Sequence, residues 1–174
     1  MDRKEQIEQW FVRYSNDVYK FLVYYTGNKD VEDLVQEVFI KAIKAFDTYE
    51  GRANPKTWLL TIARNAAIDY GRKRRLLSWL PESLLQNVKT VEKTPEEILN
   101  LHEEKRELYE ALQQMKPAYR EVLILRGIKG LSPKETAIIL QWSESKVNTT
   151  LHRAVKALKS KVEKQTKGMI NNVV

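Results

Sequence analysis

The stretch that decides the fold class occupies residues 132–158 and reads SPKETAIILQWSESKVNTTLHRAVKAL. Ser132 and Glu135 have the spacing of a capping box, which predicts that a helix of about two turns begins here. Ser143 is a second N-cap residue, and apolar side chains then recur at helical spacing to about Val162. A short helix, a tight turn and a long helix together predict a helix-turn-helix, whose second helix fits the major groove of DNA.

The outward face of that second helix decides whether DNA binding is plausible. It carries hydroxyl, amide, imidazole and cationic groups, which contact both base edges and phosphates: Ser145, Lys146, Asn148, Thr149, His152, Arg153 and Lys156. No acidic residue occurs between Glu144 and Glu163. The residues predicted to face inward are Val147, Leu151, Ala154, Val155 and Leu158. This composition favours DNA contact over the alternative, an ordinary helical hairpin with a polar outer face.

The amino-terminal half has the apolar spacing of three helices. One apolar stripe spans residues 7–25, and a second spans residues 31–46 with Asp30 as its predicted N-cap. Asn54 followed by Pro55 predicts the start of a third helix that runs to about Gly71. The chain is therefore predicted to be all-α, because few glycines and prolines interrupt it and no alternating strand pattern occurs.

The helical periodicity fades after residue 75 and returns at residues 94–97, where Thr94, Pro95 and Glu97 form another capping box. A short helix is expected over 118–126, ending at Gly127. The predicted organisation is a helical domain at 1–77, a linker at 78–94 that is rich in apolar residues, a helix-turn-helix domain at 95–165 and a tail at 166–174.

Composition and charge limit the classes of function. The 174 residues carry a net charge of +7, and the absence of cysteine excludes disulfides, zinc fingers and cysteine enzymes. Residues 1–78 carry +3, residues 79–130 carry −1 and residues 131–174 carry +5, so both ends attract a polyanion. No stretch reaches the length of a membrane span and the start is charged, which predicts a cytoplasmic protein.

Three further features have two interpretations each. The run Arg72, Lys73, Arg74 and Arg75 either compensates a helix dipole or contacts phosphates, and four successive cations favour phosphates. The polar face of the second helix, which includes Asp33, Gln36 and Glu37, is either solvated or an interaction surface. Asp33 and Glu37 have a spacing that can bind a metal, but no further ligand completes a shell, so no metal site is predicted.

Three stretches taken together resemble the bacterial extracytoplasmic-function (ECF) sigma factors, a class of the sigma-70 superfamily. They are DLVQEVF at 33–39, TWLLTIARN at 57–65 and the helix-turn-helix. The resemblance extends from about Asn16 to Lys161 and is to the minimal members, which contain only the second and fourth sigma domains. It implies two small helical domains and no enzymatic activity, cofactor or small-molecule substrate.

The resemblance also implies roles for individual residues. Asp33, Gln36 and Glu37 match positions that contact the clamp helices of the largest subunit of RNA polymerase. The minus-ten DNA contacts predicted for the loop before the third helix and for that helix are Tyr49, Trp58, Arg64, Asn65, Arg72, Lys73, Arg74 and Arg75. The basic residues among them are predicted from the positive charge at the end of that helix. Trp58 matches the tryptophan position of the family, and its spacing from Ile62 equally suits a core residue. Tyr49 and Asn65 match residues of a pocket for a flipped base. The minus-thirty-five contacts implied for the recognition helix are Ser145, Lys146, Asn148, Thr149, His152 and Arg153.

The resemblance implies three partners, which are core RNA polymerase, promoter DNA and an anti-sigma factor. The polymerase is contacted also through the flap of its second-largest subunit. The anti-sigma factor lies in the membrane in many members. The residues alone leave two other hypotheses open. One is an ordinary helix-turn-helix repressor or activator, and the other is a helical adaptor that binds RNA or ribosomes through its basic ends. A nucleic-acid-processing enzyme ranks last, because no cluster of carboxylates or histidines is present to hold a metal.

Overall fold

A computed structural model describes residues 3–79 and 103–171, and within these residues the backbone forms helices and turns with no β-strand. The predicted all-α class is confirmed. The helices are α1 (Arg3–Thr26), α2 (Glu32–Ala45), α3 (Pro55–Leu77), α4 (Glu103–Gln113), α5 (Pro117–Leu123), α6 (Pro133–Leu140) and α7 (Glu144–Asn171). A 3₁₀ turn at Phe46–Thr48 follows α2, and a π turn at Ile124–Ile128 follows α5.

Helices α1, α2 and α3 pack against each other as an amino-terminal bundle. Its core is built from the apolar stripes that the spacing predicts, and Phe21, Leu22, Val38, Leu59 and Leu60 are fully buried. The third helix begins where the sequence predicts, because the Asn54 side chain accepts a hydrogen bond from the Thr57 backbone N–H at 2.8 Å.

Helices α4 to α7 form a carboxyl-terminal unit in which α7 contacts α4, α5 and α6. The predicted capping box is present, since Ser132 Oγ accepts from the Glu135 N–H and the Glu135 carboxylate accepts from the Ser132 N–H. Helix α6 ends at Gln141, whose left-handed backbone (φ 56°) turns the chain sharply into α7. The helix-turn-helix therefore comprises α6, this turn and the first part of α7.

The two units pack against each other across an apolar interface. One hydrophobic cluster contains bundle residues such as Leu59 and Leu60 together with Ile124, Leu125, Leu131, Ile139 and Leu140 of the carboxyl-terminal unit. Helix α6 lies on α3, and the π turn contacts α1. At the end of α1, Gly27 adopts a positive φ of 71°, a backbone conformation that favours glycine, and the Gln113 side chain of α4 lies beside it. The described residues thus form one packed body.

Several boundary predictions need correction. Val31, and not Asp30, is the N-cap of α2, and it makes no side-chain cap. Helix α3 continues past Gly71 to Leu77, so the basic run lies on the helix. Helix α5 ends at Leu123, because the chain widens there into the π turn. Helix α7 extends beyond Val162 to Asn171.

Some apolar residues predicted to face inward are exposed. Val155 is 38% exposed, and Phe11 and Ile43 are also exposed. Phe11 nonetheless contacts the Phe39 ring of α2 edge to face, with the ring centroids 4.8 Å apart. The predicted linker from residue 80 onward and the capping box at Thr94 lie outside the described residues.

Candidate nucleic-acid interface

The first part of α7 presents the predicted recognition face to solvent. Ser145, Lys146, Asn148, Thr149, His152 and Arg153 are all exposed, whereas Val147 and Ala154 on the opposite side are completely buried. Ser143 Oγ caps the helix by accepting from the Lys146 N–H at 3.1 Å. Burial of one face against α5 and α6 thus holds the polar face outward, as insertion into a major groove requires.

Lys146 is oriented by an aromatic neighbour in the turn. Its Nζ lies 4.3 Å from the centroid of the Trp142 ring, within the range of a cation–π interaction. Trp142 packs in turn on both hydrophobic clusters of the protein. The turn residue therefore ties the ammonium group to the core while the group itself stays exposed at the amino-terminal end of the recognition helix.

An aromatic cluster forms at the loop between α2 and α3, where the resemblance implies the minus-ten pocket. The ring centroids of Tyr49 and Trp58 are 4.9 Å apart, and Trp10 lies 5.2 Å from Tyr49 and 5.9 Å from Trp58. Phe46 completes the cluster at 5.6 Å from Trp10. The structure therefore brings the two predicted aromatic residues together.

The loop that carries Tyr49 is closed by a local hydrogen bond. The Tyr49 hydroxyl donates to the Ala53 carbonyl oxygen at 2.6 Å, and Gly51 between them adopts a positive φ of 70°. Burial raises the pKa of the Tyr49 hydroxyl, as does the neighbouring Tyr14, so the group stays protonated and keeps donating. Asn65, seven residues after Trp58 on α3, is exposed on the same side of the helix.

Trp10, like Phe46, belongs to this cluster although the sequence did not assign it to the site. Its position in the apolar stripe of α1 indicates only a core residue, and it is indeed 7% exposed. The edge-to-face contact with Tyr49 shows that it also supports the loop. A tryptophan near the beginning of an apolar stripe is a weak signal of a functional site, because periodicity does not reveal which distant aromatic residue it contacts.

The basic run lies along the last turns of α3, where all four side chains are exposed. The Arg74 guanidinium lies 5.8 Å from the Tyr70 ring centroid. A cavity of about 590 Å³ opens between this end of α3 and α5, and its lining includes Arg72, Arg74, Arg75 and Arg120. Such a concentration of guanidinium groups favours an anionic ligand such as a phosphate.

Arg64 differs from the other predicted DNA contacts because a nearly buried carboxylate of the carboxyl-terminal unit pairs with it. Its Nε lies 2.9 Å from Glu121 Oε1, and its Nη2 lies 3.4 Å from Glu121 Oε2. The Tyr25 hydroxyl donates to the same Oε1 at 2.9 Å. Burial raises the pKa of the Tyr25 hydroxyl, and the negative charge of Glu121 raises it further. No motif or spacing in the sequence singles out Tyr25 or Glu121 as a site residue.

The acidic face of α2 is available for a partner. Asp33 and Gln36 are exposed, and Glu37 is partly exposed. Glu37 Oε1 lies 2.8 Å from Lys41 Nζ, which also lies 3.8 Å from Asp69 on α3. Ile40, which is 51% exposed, adds an apolar side chain to the same face. The face therefore combines negative charge with apolar surface.

Neither a metal centre nor a membrane span is found in the parts of the chain that the structure describes. No group of three or more His, Cys, Asp or Glu residues with a metal-binding arrangement occurs there. Within the same residues, no helix combines the length and the apolar character that crossing a bilayer requires.

Comparison with known proteins identifies the family. The Sigma-70 region 2 model matches residues 10–76, and the Sigma-70, region 4 model matches residues 105–158. The chain is 42% identical over 166 residues to the ECF RNA polymerase sigma factor SigX of Bacillus subtilis, across 92% of this chain and 85% of that relative. The chain belongs to the ECF sigma factors. It is an alternative sigma factor that directs promoter recognition and transcription initiation.

Other similar proteins are also sigma factors. The RNA polymerase sigma factor YlaC of Bacillus subtilis is 33% identical over 94% of this chain and 96% of its own length. Among solved structures, the sigma factor RpoE in complex with the anti-sigma factor NepR from Bartonella quintana is similar with a TM-score of 0.72 and 25% identity. That similarity covers 91% of this sigma factor and 98% of the matched chain, and so includes both helical units.

Proposed function

We propose that this sigma factor reads promoters through two separate surfaces while a third surface holds RNA polymerase. The recognition face of α7 binds the minus-thirty-five element as duplex DNA. The aromatic cluster with Asn65 binds an unpaired base of the minus-ten element. The acidic face of α2 docks on the clamp helices of the largest polymerase subunit, and the helix-turn-helix unit also contacts the flap of the second-largest subunit.

Reading of the minus-thirty-five element is supported by the residue types that α7 exposes. Asn148, Thr149 and His152 can hydrogen-bond base edges, and Lys146 and Arg153 suit phosphates. A bidentate amide or guanidinium contact discriminates between bases by about 1 to 3 kcal/mol. The absence of acidic side chains along this face avoids repulsion of the DNA backbone.

Promoter melting is supported by the aromatic cluster at the loop. Extruding a base from the duplex costs a few kcal/mol, and stacking on an aromatic side chain returns about 1 to 3 kcal/mol per base. Tyr49 and Trp58 supply the rings, and Asn65 supplies edge hydrogen bonds. The basic run Arg72–Arg75 attracts the phosphates on either side. Melting is then favoured only where the captured base fits the pocket, and it involves no covalent chemistry by the sigma factor.

A cellular location and one further partner follow from this proposal. Because RNA polymerase works in the cytoplasm, the sigma factor acts there. Because the similar RpoE was solved with an anti-sigma factor, we propose that an inhibitor of that type also binds this chain. Such an inhibitor acts by covering surfaces that polymerase and DNA need.

The observation that carries the proposal is the presence in one chain of an exposed recognition face without acidic residues and of an aromatic cluster on the helix that carries the basic run. Either feature alone suits a repressor or an RNA-binding adaptor. Together they provide one surface for duplex DNA and another for an unpaired base, and starting transcription on a duplex promoter requires both.

Reconstituted transcription tests the proposal. Purified chain is mixed with bacterial core polymerase and a pool of genomic fragments, and the start sites are sequenced. We expect starts at a small set of fragments that share two spaced elements, and none with core polymerase alone. Tight operator binding without polymerase would favour a repressor. Salt-sensitive binding to any RNA, with no effect on start sites, would favour an adaptor.

A further inference from the structure

The interface between the two helical units contains a buried ion cluster centred on Glu121. The Glu121 carboxylate is 8% exposed, and both of its oxygens face the Arg64 guanidinium of α3. The Tyr25 hydroxyl of α1 donates to it as well. A bidentate guanidinium–carboxylate pair is strong and directional, and removing one partner by mutation leaves the other charge buried without a partner. This cluster links α5 to both α1 and α3.

Two peripheral contacts reinforce the same interface. Lys129, which follows the π turn, pairs with Asp17 of α1, and Lys56 at the start of α3 lies 3.4 Å from the same carboxylate. Gln113 of α4 donates to the Tyr24 carbonyl oxygen at 2.9 Å. The first contact between the units is an ion pair and the second is a neutral hydrogen bond, and both join the same two units that share the apolar cluster.

The closed arrangement is too short to span a promoter. Elements centred near positions minus ten and minus thirty-five are about 25 base pairs apart, which is about 85 Å along B-DNA. A compact chain of this length has a radius of gyration of about 16 Å. The two units can therefore engage both elements at once only after their interface has opened.

The same interface occupies a side chain that is predicted to contact DNA. Arg64 is among the residues implied for the minus-ten element, and Glu121 supplies it with a carboxylate in place of a phosphate. The recognition face of α7, by contrast, stays exposed. When the two units are packed together, the recognition face of α7 is therefore accessible to DNA, whereas Arg64 of the predicted minus-ten surface is not.

We propose that Glu121 is the latch of an autoinhibited state, in which its carboxylate occupies Arg64 and holds the two units together until polymerase and promoter DNA separate them. This inference rests on the proposed function, because it assigns Arg64 to DNA. It adds that the free chain lowers its own affinity for minus-ten DNA without any second protein.

The latch is tested by measuring the distance between the two units in the full chain. The protein has no cysteine, so Lys44→Cys on α2 and Ser160→Cys on α7 provide two exposed sites for spin labels. Double electron–electron resonance is recorded for the labelled chain and for the same chain with Glu121→Gln, which keeps the shape of the side chain. Glu121→Lys, which repels Arg64, is a stronger variant. Glu110→Gln, at an exposed glutamate of α4, is the matched control.

We expect a short distance distribution for the parent and Glu110→Gln chains. We expect a longer one for Glu121→Lys, with Glu121→Gln between them. The affinity for a single-stranded minus-ten oligonucleotide should rise from the parent and Glu110→Gln chains to Glu121→Gln and then to Glu121→Lys. If the open form is about a tenth of the parent population, the affinity of a fully open variant for this oligonucleotide rises up to about tenfold. Circular dichroism confirms that each variant keeps its helices.

Two results would overturn the latch. One is a parent chain that already shows the long distances found in its complex with polymerase and promoter. The other is a folded Glu121→Lys chain whose distances and oligonucleotide affinity equal those of Glu110→Gln. Failure of the parent chain to start transcription with core polymerase would instead refute the proposed function, whatever the distances show.

Discussion

Asn54 Nδ2 donates a hydrogen bond to Glu135 Oε1 at 2.6 Å, and these two residues cap α3 and α6, one helix from each unit. Asn54 Oδ1 caps α3 through Thr57, and Glu135 Oε2 caps α6 through Ser132. The amino-terminal ends of both helices carry partial positive charge, so they would repel each other where they meet. The Glu135 carboxylate lies at both ends and offsets that repulsion.

Removing the Glu135 side chain should therefore destabilise the fold. We expect Glu135→Ala to lower the free energy of unfolding by about 1 to 2 kcal/mol, because a cap and its charge are lost together. Glu135→Gln should lose less, since its amide oxygen still accepts a hydrogen bond in a capping box. Urea unfolding followed by circular dichroism measures the difference. Glu144→Ala, in the first turn of α7, is the control and should change stability by less than about 0.5 kcal/mol.

The same carboxylate gives the fold a predictable response to acid. The hydrogen bond from the Ser132 backbone N–H lowers the pKa of Glu135 below its ordinary value of 4.5. Burial raises the pKa of Asp17, but the hydrogen bond and charge of Lys129 outweigh it and lower the net value below 3.8.

Groups with lowered pKa values stabilise the folded state above their unfolded pKa, and this stabilisation is lost as the pH falls through the folded pKa. We expect the free energy of unfolding to decline as the pH drops below about 4.5 and to keep declining toward pH 3. The decline should be shallower in Glu135→Gln. Equal slopes for the two proteins would show that Glu135 does not contribute to this response.

Mutations on α7 should distinguish the residues that read bases from the residues that contact phosphates. Asn148→Ala is expected to cost about 1 to 3 kcal/mol of binding and to relax the preference at one base pair. Lys146→Ala should weaken binding to all sequences about equally and reduce the dependence on salt. Transcription from a library of randomised minus-thirty-five elements measures both effects. If Asn148→Ala weakened every sequence to the same degree, α7 would not be the recognition helix.

The acidic face of α2 should control polymerase capture. Replacing Asp33 and Glu37 together by Lys places like charges against a surface that accepts carboxylates, so we expect the affinity for core polymerase to fall more than about 100-fold. The minus-thirty-five contacts of α7 should be unaffected in direct DNA binding. The double replacement of Glu110 and Glu163 by Lys makes the same charge change elsewhere and should leave polymerase affinity nearly unchanged. Fluorescence anisotropy of labelled chain measures the affinity.

A buried hydroxyl offers a test of the packing. Thr136 is fully buried on α6, and its Oγ1 has no hydrogen-bond partner among the described residues. Thr136→Val should raise the free energy of unfolding by about 1 kcal/mol, because it removes an unsatisfied polar atom while keeping the shape. Thr61→Val is the control, since Thr61 Oγ1 donates to the Thr57 carbonyl oxygen at 2.9 Å and its loss brings no gain. A loss of stability in Thr136→Val would contradict this account.

The helix boundaries show how far local sequence signals extend. Starts at Asn54 and Ser132 were predictable because each cap joins groups only three residues apart. Asp30 has the right residue type for a cap, yet the chain begins α2 after Val31. Gly71 does not end α3, because a glycine inside a helix costs only about 1 kcal/mol, which tertiary contacts of neighbouring residues offset. The exposed recognition residues on α7 followed correctly from helical spacing.

The amino-acid order by itself determined the helices, the helix-turn-helix and the family, because these depend on caps and on apolar repeats within a few turns. Tertiary structure alone decided that Arg64 meets Glu121 across 57 residues of sequence and that Tyr25 meets it across 96. Spacing along one helix shows which face is polar but not which distant charge covers that face. Only the packing of the two units brings those groups within hydrogen-bonding distance, where loss of water makes their pairing strong.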